Sequence, residues 1–124
     1  MMKRKREGAE HARPLPLKRR LKRYPGPQHQ IDLHGCRAHQ AIQRTEAFVR
    51  TAFNDGVLTV RIIVGKGLHS ESGPVLPEVV ENCLLALKQE GILLSYRWEG
   101  RSRTRSGAII AYLNSVGISN RGDG

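Results

Sequence analysis

Cysteine is scarce in this chain of 124 residues: only Cys36 and Cys83 occur, and they form no CxxC pair. Without regular cysteine spacing, neither a zinc knuckle nor a disulfide framework can be argued from the sequence. So few thiols fit a reducing compartment. We therefore expect no disulfide or structural zinc site to support the fold.

Long apolar runs are also missing. No stretch approaches the roughly 18 apolar residues of a membrane-spanning helix. No apolar run follows the basic N-terminus, as one would in a signal peptide. We expect no membrane partner and a cytoplasmic location.

Acidic residues are few, with 11 Asp and Glu against 21 Lys and Arg and a net charge of +10. Beyond the N-terminal segment, Asp32, Asp55, Glu71 and Glu99 form no evident pair. A divalent cation at a phosphodiester needs several converging carboxylates. The sequence therefore predicts no metal site and no cofactor.

The basic residues are concentrated near the start: residues 1–23 hold ten Lys or Arg and two Glu, a net charge of +8. Because this segment has almost nothing to bury, we predict a disordered tail over residues 1–27. Pro16 and Pro25 disfavour a helix there and place the domain boundary near Pro27. Counterion release draws such a tail to nucleic acid, although a solubility tail or an import signal has the same composition. The tail residues predicted to contact nucleic acid are Lys18, Arg19, Arg20, Lys22 and Arg23.

After Pro27 the apolar pattern switches between strand and helix periods. Strands are predicted over residues 28–33, 57–64, 92–98 and 108–113, and apolar helical stripes run from Ala38 to Ala52 and from Leu76 to Leu87. In the order β-α-β-α-β-β, two one-sided helices most simply cover one face of a four-stranded mixed sheet, as in a two-layer α/β sandwich. A right-handed crossover makes the first two strands parallel, so their C-terminal ends converge.

The first predicted strand ends in Ile31-Asp32-Leu33-His34-Gly35. At the two-residue period of a strand, Asp32 and His34 share one face. Imidazoles accept and donate protons near neutrality, and a neighbouring carboxylate can orient the ring, which makes both residues catalytic candidates. Taken from these residues alone, a turn or capping histidine at the end of the strand is the favoured interpretation of His34.

The second predicted strand leads into Gly65-Lys66-Gly67-Leu68-His69-Ser70. Backbone amides of Gly65 and Gly67 can approach an anion beside the Lys66 charge, and His69 and Ser70 add an imidazole and a hydroxyl. The spacing of a nucleotide-binding P-loop is absent. A glycine-rich turn chosen for its backbone geometry is the alternative to a phosphate-binding loop.

Arginines cluster between the last two predicted strands, with Glu99 as the local acid. This pattern favours contact with a nucleic-acid backbone over a solvated turn. The residues concerned are Arg97, Arg101, Arg103 and Arg105.

Both motifs, together with Gly107-Ala108-Ile109-Ile110-Ala111-Tyr112-Leu113, resemble the small MutS-related (Smr) domain, which pairs an Asp-Leu-His-Gly strand end with a Gly-Lys/Arg-Gly loop and a terminal Gly-Ala strand. The chain departs from that pattern at Val64, where the family often has His, and at Arg105-Ser106-Gly107, where it has Gly-x-Gly. The resemblance implies a domain over residues 28–116, folded like the C-terminal domain of translation initiation factor three, and a flexible tail over 117–124.

The resemblance also implies a function, because the residues matching Asp32 and His34 are those associated with nuclease activity in Smr domains. We expect an endonuclease that nicks or cleaves RNA or DNA, with His34 as general base and the Lys66 loop on the phosphate, His69 assisting. The alternative is a non-catalytic nucleic-acid-binding module acting in DNA repair or on ribosomes. The oligomeric state stays open.

Overall fold

The computed structural model describes residues 15–65, 76–100 and 107–115. Its elements in chain order are α1 (Leu17–Leu21), β1 (His29–Asp32), α2 (Ala38–Asn54), β2 (Thr59–Ile63), α3 (Leu76–Gln89), β3 (Leu93–Trp98) and β4 (Ala108–Leu113). From β1 onward, the order β-α-β-α-β-β predicted from the sequence is confirmed. The helix α1 is an addition to it.

The four strands form one mixed sheet in the order β1-β2-β4-β3. Strand β1 pairs parallel to β2, with Ile31 opposite Ile62. Strand β4 runs antiparallel to both of its neighbours, β2 and β3. The parallel pairing brings the C-terminal ends of β1 and β2 to the same edge of the sheet, as predicted.

The hydrophobic core lies between the sheet and the two long helices. Ile62 and Ile109 from the sheet, Val49 from α2 and Leu84 from α3 are all 0% exposed in one cluster. Cross-strand partners share a face of a sheet, and successive residues alternate between faces. The next row, in which Arg61, Ile110 and Arg97 are aligned by register, therefore lies on the opposite side, here called the helix-free face. The predicted two-layer sandwich is confirmed.

Each long helix ends at a glycine with a positive φ angle. After α2, Gly56 has φ 80°, its amide donates to the Phe53 carbonyl, and the Val57 amide donates to Ala52. The same pair of hydrogen bonds closes α3 around Gly91. These Schellman closures satisfy the last helical carbonyls and return the chain to the sheet.

The prediction of a disordered tail over residues 1–27 is wrong for part of its described portion. Residues Leu17–Leu21 are helical, with Pro16 at the N-cap. Proline is tolerated at a helix start, and the next proline, Pro25, comes after the helix has ended, so neither proline interrupts it. Tyr24 then contacts the last strand: its hydroxyl donates to the Leu113 carbonyl at 2.6 Å. The predicted C-terminal tail, residues 117–124, lies outside the described residues.

Among the helices described here, none has the length and apolar content needed to cross a bilayer.

Candidate functional site

A tight turn at the end of β1 presents His34 to solvent. The amide of the buried Leu33 donates to the Ile63 carbonyl at 2.7 Å, which fixes the turn to β2. The Cys36 amide then donates to Leu33 at 3.0 Å, and Gly35, third in the turn, has φ 85°. A positive φ at that position suits glycine and is what a type II turn requires. The side chain of His34 is consequently 71% exposed.

One carboxylate oxygen of Asp32 makes two hydrogen bonds with His34. The Asp32 Oδ1 atom lies 2.7 Å from His34 Nδ1 and accepts the His34 backbone N–H at 3.1 Å. The ring hydrogen bond, with the backbone hydrogen bond second, lowers the pKa of the Asp32 carboxyl below its ordinary value. The carboxylate therefore stays ionised under mildly acidic conditions and remains an acceptor for the ring.

This hydrogen bond selects one form of the neutral imidazole. An ionised carboxylate only accepts, so Nδ1 must carry the proton that it receives. The second ring nitrogen, Nε2, is then unprotonated and able to accept a proton from a bound molecule. The prediction that the side chains of Asp32 and His34 lie together is confirmed, and the hydrogen bond fixes the orientation of the imidazole ring.

The start of the glycine loop lies directly against His34. Gly65 has φ 81°, and a Cβ atom added to it would lie 3.3 Å from the His34 Cβ. The amides of Val64 and Gly65 both donate to the Gly107 carbonyl, at 2.8 and 3.1 Å. The ends of β1 and β2 and the start of β4 thus meet at one edge of the sheet.

This geometry corrects one prediction about the loop. The Gly65 amide, predicted to face an anion, is taken up by Gly107. Gly65 instead contributes the space beside His34, because it has no side chain there. The carbonyl of Gly107 was not identified from the sequence as part of the site. The one sequence signal at this position is the Gly-Ala pair that begins the last strand of the Smr pattern.

Val64, where Smr domains often have His, belongs to the hydrophobic core. It is 2% exposed and packs in the cluster between the sheet and the helices. This chain therefore presents an apolar side chain, and no imidazole, at that position.

On the helix-free face, Arg97 is exposed, and its Nε atom donates to the Tyr112 hydroxyl at 2.9 Å. Glu99 was expected to balance the hairpin arginines, but it accepts three hydrogen bonds from Arg61, of 2.7 to 3.1 Å. Those bonds lower the pKa of Glu99 and raise that of Arg61. Glu99, just after the end of β3, is thus hydrogen-bonded to Arg61 of β2.

The two aromatic residues of β3 face the helices. The Tyr96 hydroxyl donates to Glu81 on α3 at 2.8 Å, and Trp98 Nε1 donates to the same carboxylate at 3.4 Å. Both rings pack against the core. The two rings therefore lie on the helix side of the sheet and are not placed to stack on bases at the helix-free face.

Several predicted site residues lie outside the described residues, namely Lys66, Gly67, His69, Ser70, Arg101, Arg103 and Arg105. Their assignments remain predictions. In residues 15–65, 76–100 and 107–115, no three His, Cys, Asp or Glu side chains come together as a possible metal site.

The sequence matches the family model of the Smr domain over residues 31–114. The chain belongs to the Smr domain family. Smr domains are known as nuclease and nucleic-acid-binding modules. The matched range lies inside the domain predicted from the sequence, residues 28–116.

Two solved structures share the Smr fold. The Smr domain of Thermus thermophilus MutS2 is 20% identical, with a TM-score of 0.55, over 69% of this chain and 98% of that chain. YdaL, a stand-alone small MutS-related protein from Escherichia coli, is 23% identical, with a TM-score of 0.59, over 89% of this chain and 80% of that chain. A comparison with curated proteins gives no match.

Proposed function

We propose that this Smr-domain protein is an endonuclease that cleaves RNA without a metal ion, with His34 as the general base. The observation that supports the proposal is the 2.7 Å hydrogen bond between His34 Nδ1 and Asp32 Oδ1. It orients an imidazole that is 71% exposed and therefore open to a substrate. Family membership adds nucleic acid as the general partner.

In the proposed reaction, Nε2 of His34 removes the proton of a ribose 2′-hydroxyl, and the 2′-oxygen attacks the adjacent phosphorus. The P–O2′ bond forms as the P–O5′ bond breaks, and the electron pair leaves with the 5′-oxygen, which takes a proton from water. The products are a 2′,3′-cyclic phosphate and a 5′-hydroxyl. DNA lacks the internal nucleophile, so this route requires RNA.

The phosphate needs donors beside the imidazole. Gly65 lies against His34, and Lys66 is the next residue of the chain. We assign the Lys66 ammonium and the Gly67 amide to the phosphate, with Ser70 as a further contact. His69 is assigned to the leaving oxygen. Backbone contacts farther along the substrate are assigned to Arg97, Arg101, Arg103 and Arg105.

The test compares the wild type with His34→Ala on labelled single-stranded RNA, duplex RNA and DNA, each with and without a chelator. His29→Ala is the matched control, because His29 is also an exposed histidine and lies nearby at the start of β1. We expect His34→Ala to lower the RNA cleavage rate by about 10²- to 10⁴-fold, the usual contribution of a general base. His29→Ala should cleave as the wild type does.

Cleavage by His34→Ala at the wild-type rate would contradict the proposal. If the wild type binds nucleic acid but cleaves none of the substrates, the second candidate function holds instead. The chain is then a non-catalytic binding module of the cytoplasm, acting in DNA repair or on ribosomes.

A further inference from the structure

Tyr24 fixes the segment before the Smr domain to the last strand of the sheet. Its hydroxyl donates to the Leu113 carbonyl at 2.6 Å. Its ring meets that of Tyr112 edge-on, with the ring centroids 5.4 Å apart at 84°. Burial raises the pKa of Tyr24, and the nearby charge of Arg20 opposes part of that rise. The phenol is thus docked on the sheet, with Arg20 close to it.

Helix α1 is connected to Tyr24 by consecutive turns. The Arg23 amide donates to the Arg20 carbonyl at 3.2 Å, and the Tyr24 amide donates to Leu21 at 3.1 Å. Residues 15–24, called here the basic arm, therefore extend from an anchored side chain.

The arm contributes nothing to the core, because α1 has no buried residue. Its charge is of one sign, since no Asp or Glu occurs between Glu10 and Asp32. The basic side chains that it carries are Lys18, Arg19, Arg20, Lys22 and Arg23. An anchored helix that has no fully buried residue and carries only positive charge fits a polyanion as its partner.

A further cation lies at the anchor. Arg97, on the helix-free face, donates from Nε to the Tyr112 hydroxyl at 2.9 Å, and Tyr112 is the ring that Tyr24 packs against. Glu99, two residues along the chain, is hydrogen-bonded to Arg61, and the charge of Arg97 adds a smaller part to the lowering of the Glu99 pKa. The charges of the arm and of Arg97 therefore belong to one surface.

The anchor of the arm at Tyr112 is far from His34 along the sheet, and Arg97, which pairs with Ile110, lies between the two. Tyr112 pairs with Thr59 at the start of β2, whereas Gly65, which touches His34, lies just beyond the end of that strand. Six residues of extended chain separate Thr59 from Gly65, about 20 Å at the rise of a strand. Stacked nucleotides rise about 3.4 Å each in a B-form duplex and somewhat less in A-form RNA, so the gap corresponds to roughly six or seven of them.

We propose that the basic arm and Arg97 form a second site for the phosphate backbone, which holds duplex nucleic acid about six stacked nucleotides from the phosphate presented to His34. The inference rests on the proposed function for its choice of substrate. It assigns Tyr24 a positioning role, because a docked arm meets the backbone at a fixed distance while a free tail contacts phosphates anywhere.

The experiment measures the affinity of the full chain for 2′-O-methyl RNA, which cannot be cleaved by the 2′-oxygen. Each ligand consists of a single-stranded segment followed by a duplex of about three, six or nine base pairs. Wild-type affinity is expected to rise up to the six-pair flank and then to level off. Affinity that rises equally with every added base pair would overturn the fixed spacing.

Three changes test the arm. Tyr24→Ala removes the anchor and no charge, and we expect about 5- to 10-fold weaker binding of the six-pair ligand, within the range of one lost anchoring contact. Neutralising Lys18, Arg19 and Arg20 to Ala should weaken binding more than neutralising Lys3, Arg4 and Lys5, although both variants lose three charges. Equal effects of the two triple variants would overturn the proposal.

Tyr24→Phe keeps the ring and removes only the hydroxyl, so it covers the case in which Tyr24→Ala does not fold. It should weaken binding by a smaller factor, and wild-type affinity in both Tyr24 variants would also count against the arm. At saturating cleavable RNA, kcat should stay at the wild-type value in every variant, with only KM raised.

The two proposals fail in different ways. If neither the wild type nor any variant cleaves RNA, but the arm variants bind more weakly than the wild type as expected, the nuclease proposal fails and the arm proposal stands. If cleavage depends on His34 while all arm variants bind alike, the nuclease stands and the arm fails.

Discussion

At the residue scale, one hydrogen bond to Asp32 holds the exposed imidazole of His34 in a fixed orientation. The shared face of Asp32 and His34 followed from the period of a strand, so this much was predictable. Their 2.7 Å approach was not, because it depends on the turn at Gly35, where β1 has already ended. The close contact of Gly65 with His34 was likewise beyond the reach of a sequence pattern.

The ionisation of Asp32 tests this pair. The ring hydrogen bond is the first cause of its lowered pKa, so wild-type Asp32 should titrate below the ordinary value of an aspartate. In His34→Ala the pKa should rise, though not fully, because the backbone hydrogen bond is retained. Carboxyl ¹³C shifts followed by NMR against pH measure both values, with His29→Ala as the control.

The sign of the linked effect on stability follows from the direction of the shift. A carboxyl whose folded-state pKa is depressed stabilises the fold above its unfolded pKa, and that contribution is lost as pH falls through the folded value. The contribution should be smaller in His34→Ala. An Asp32 pKa unchanged by the loss of the ring would show that the hydrogen bond is not formed in solution.

At the element scale, the helices and strands were predictable because each has a clear period, and because Gly56 and Gly91 end the two long helices. The short helix α1 was missed, and the hydrogen bond of nearby Tyr24 to a carbonyl 89 residues away is a contact that no local pattern records. Ile42 shows the opposite error. It lies within the predicted apolar stripe from Ala38 to Ala52 but is 41% exposed, because the fully buried positions of α2 are only Ala41, Thr45, Val49 and Ala52.

The meeting of strand ends at Gly65 gives a prediction with a matched control. Alanine at Gly65 or at Gly56 is strained in the same way, because both glycines have φ near 80°, and each change should cost about 1–2 kcal/mol of stability. Only at Gly65 would the new methyl group contact His34, at 3.3 Å, whereas at Gly56 it meets nothing within 4 Å. Gly65→Ala should therefore also lower kcat by about 10- to 100-fold, since a misplaced base is costly.

Thermal unfolding and single-turnover cleavage of the two variants separate these effects. Similar loss of stability, with activity reduced at Gly65 alone, is the expected result. Equal activity of Gly65→Ala and Gly56→Ala would mean that the contact does not position His34.

At the scale of the whole molecule, the positive charge is concentrated in the N-terminal segment, away from the residues proposed to carry out the chemistry. Residues 1–23 hold +8 of the net charge of +10, while the described site combines a carboxylate, an imidazole and a glycine turn. The uneven charge predicted a nucleic-acid partner, and membership of the Smr family agrees with it. Composition alone did not predict that part of the basic segment is anchored to the sheet, because composition does not record contacts.

The most direct test of the account is the chemical identity of the ends produced from an RNA strand, measured by mass spectrometry in the presence of a chelator. We predict a 2′,3′-cyclic phosphate on one product, a 5′-hydroxyl on the other, and no cleavage when a single 2′-deoxynucleotide replaces the attacking ribose. Products with a 5′-phosphate and a 3′-hydroxyl, or undiminished cleavage at the 2′-deoxynucleotide, would contradict a reaction in which His34 activates the 2′-hydroxyl.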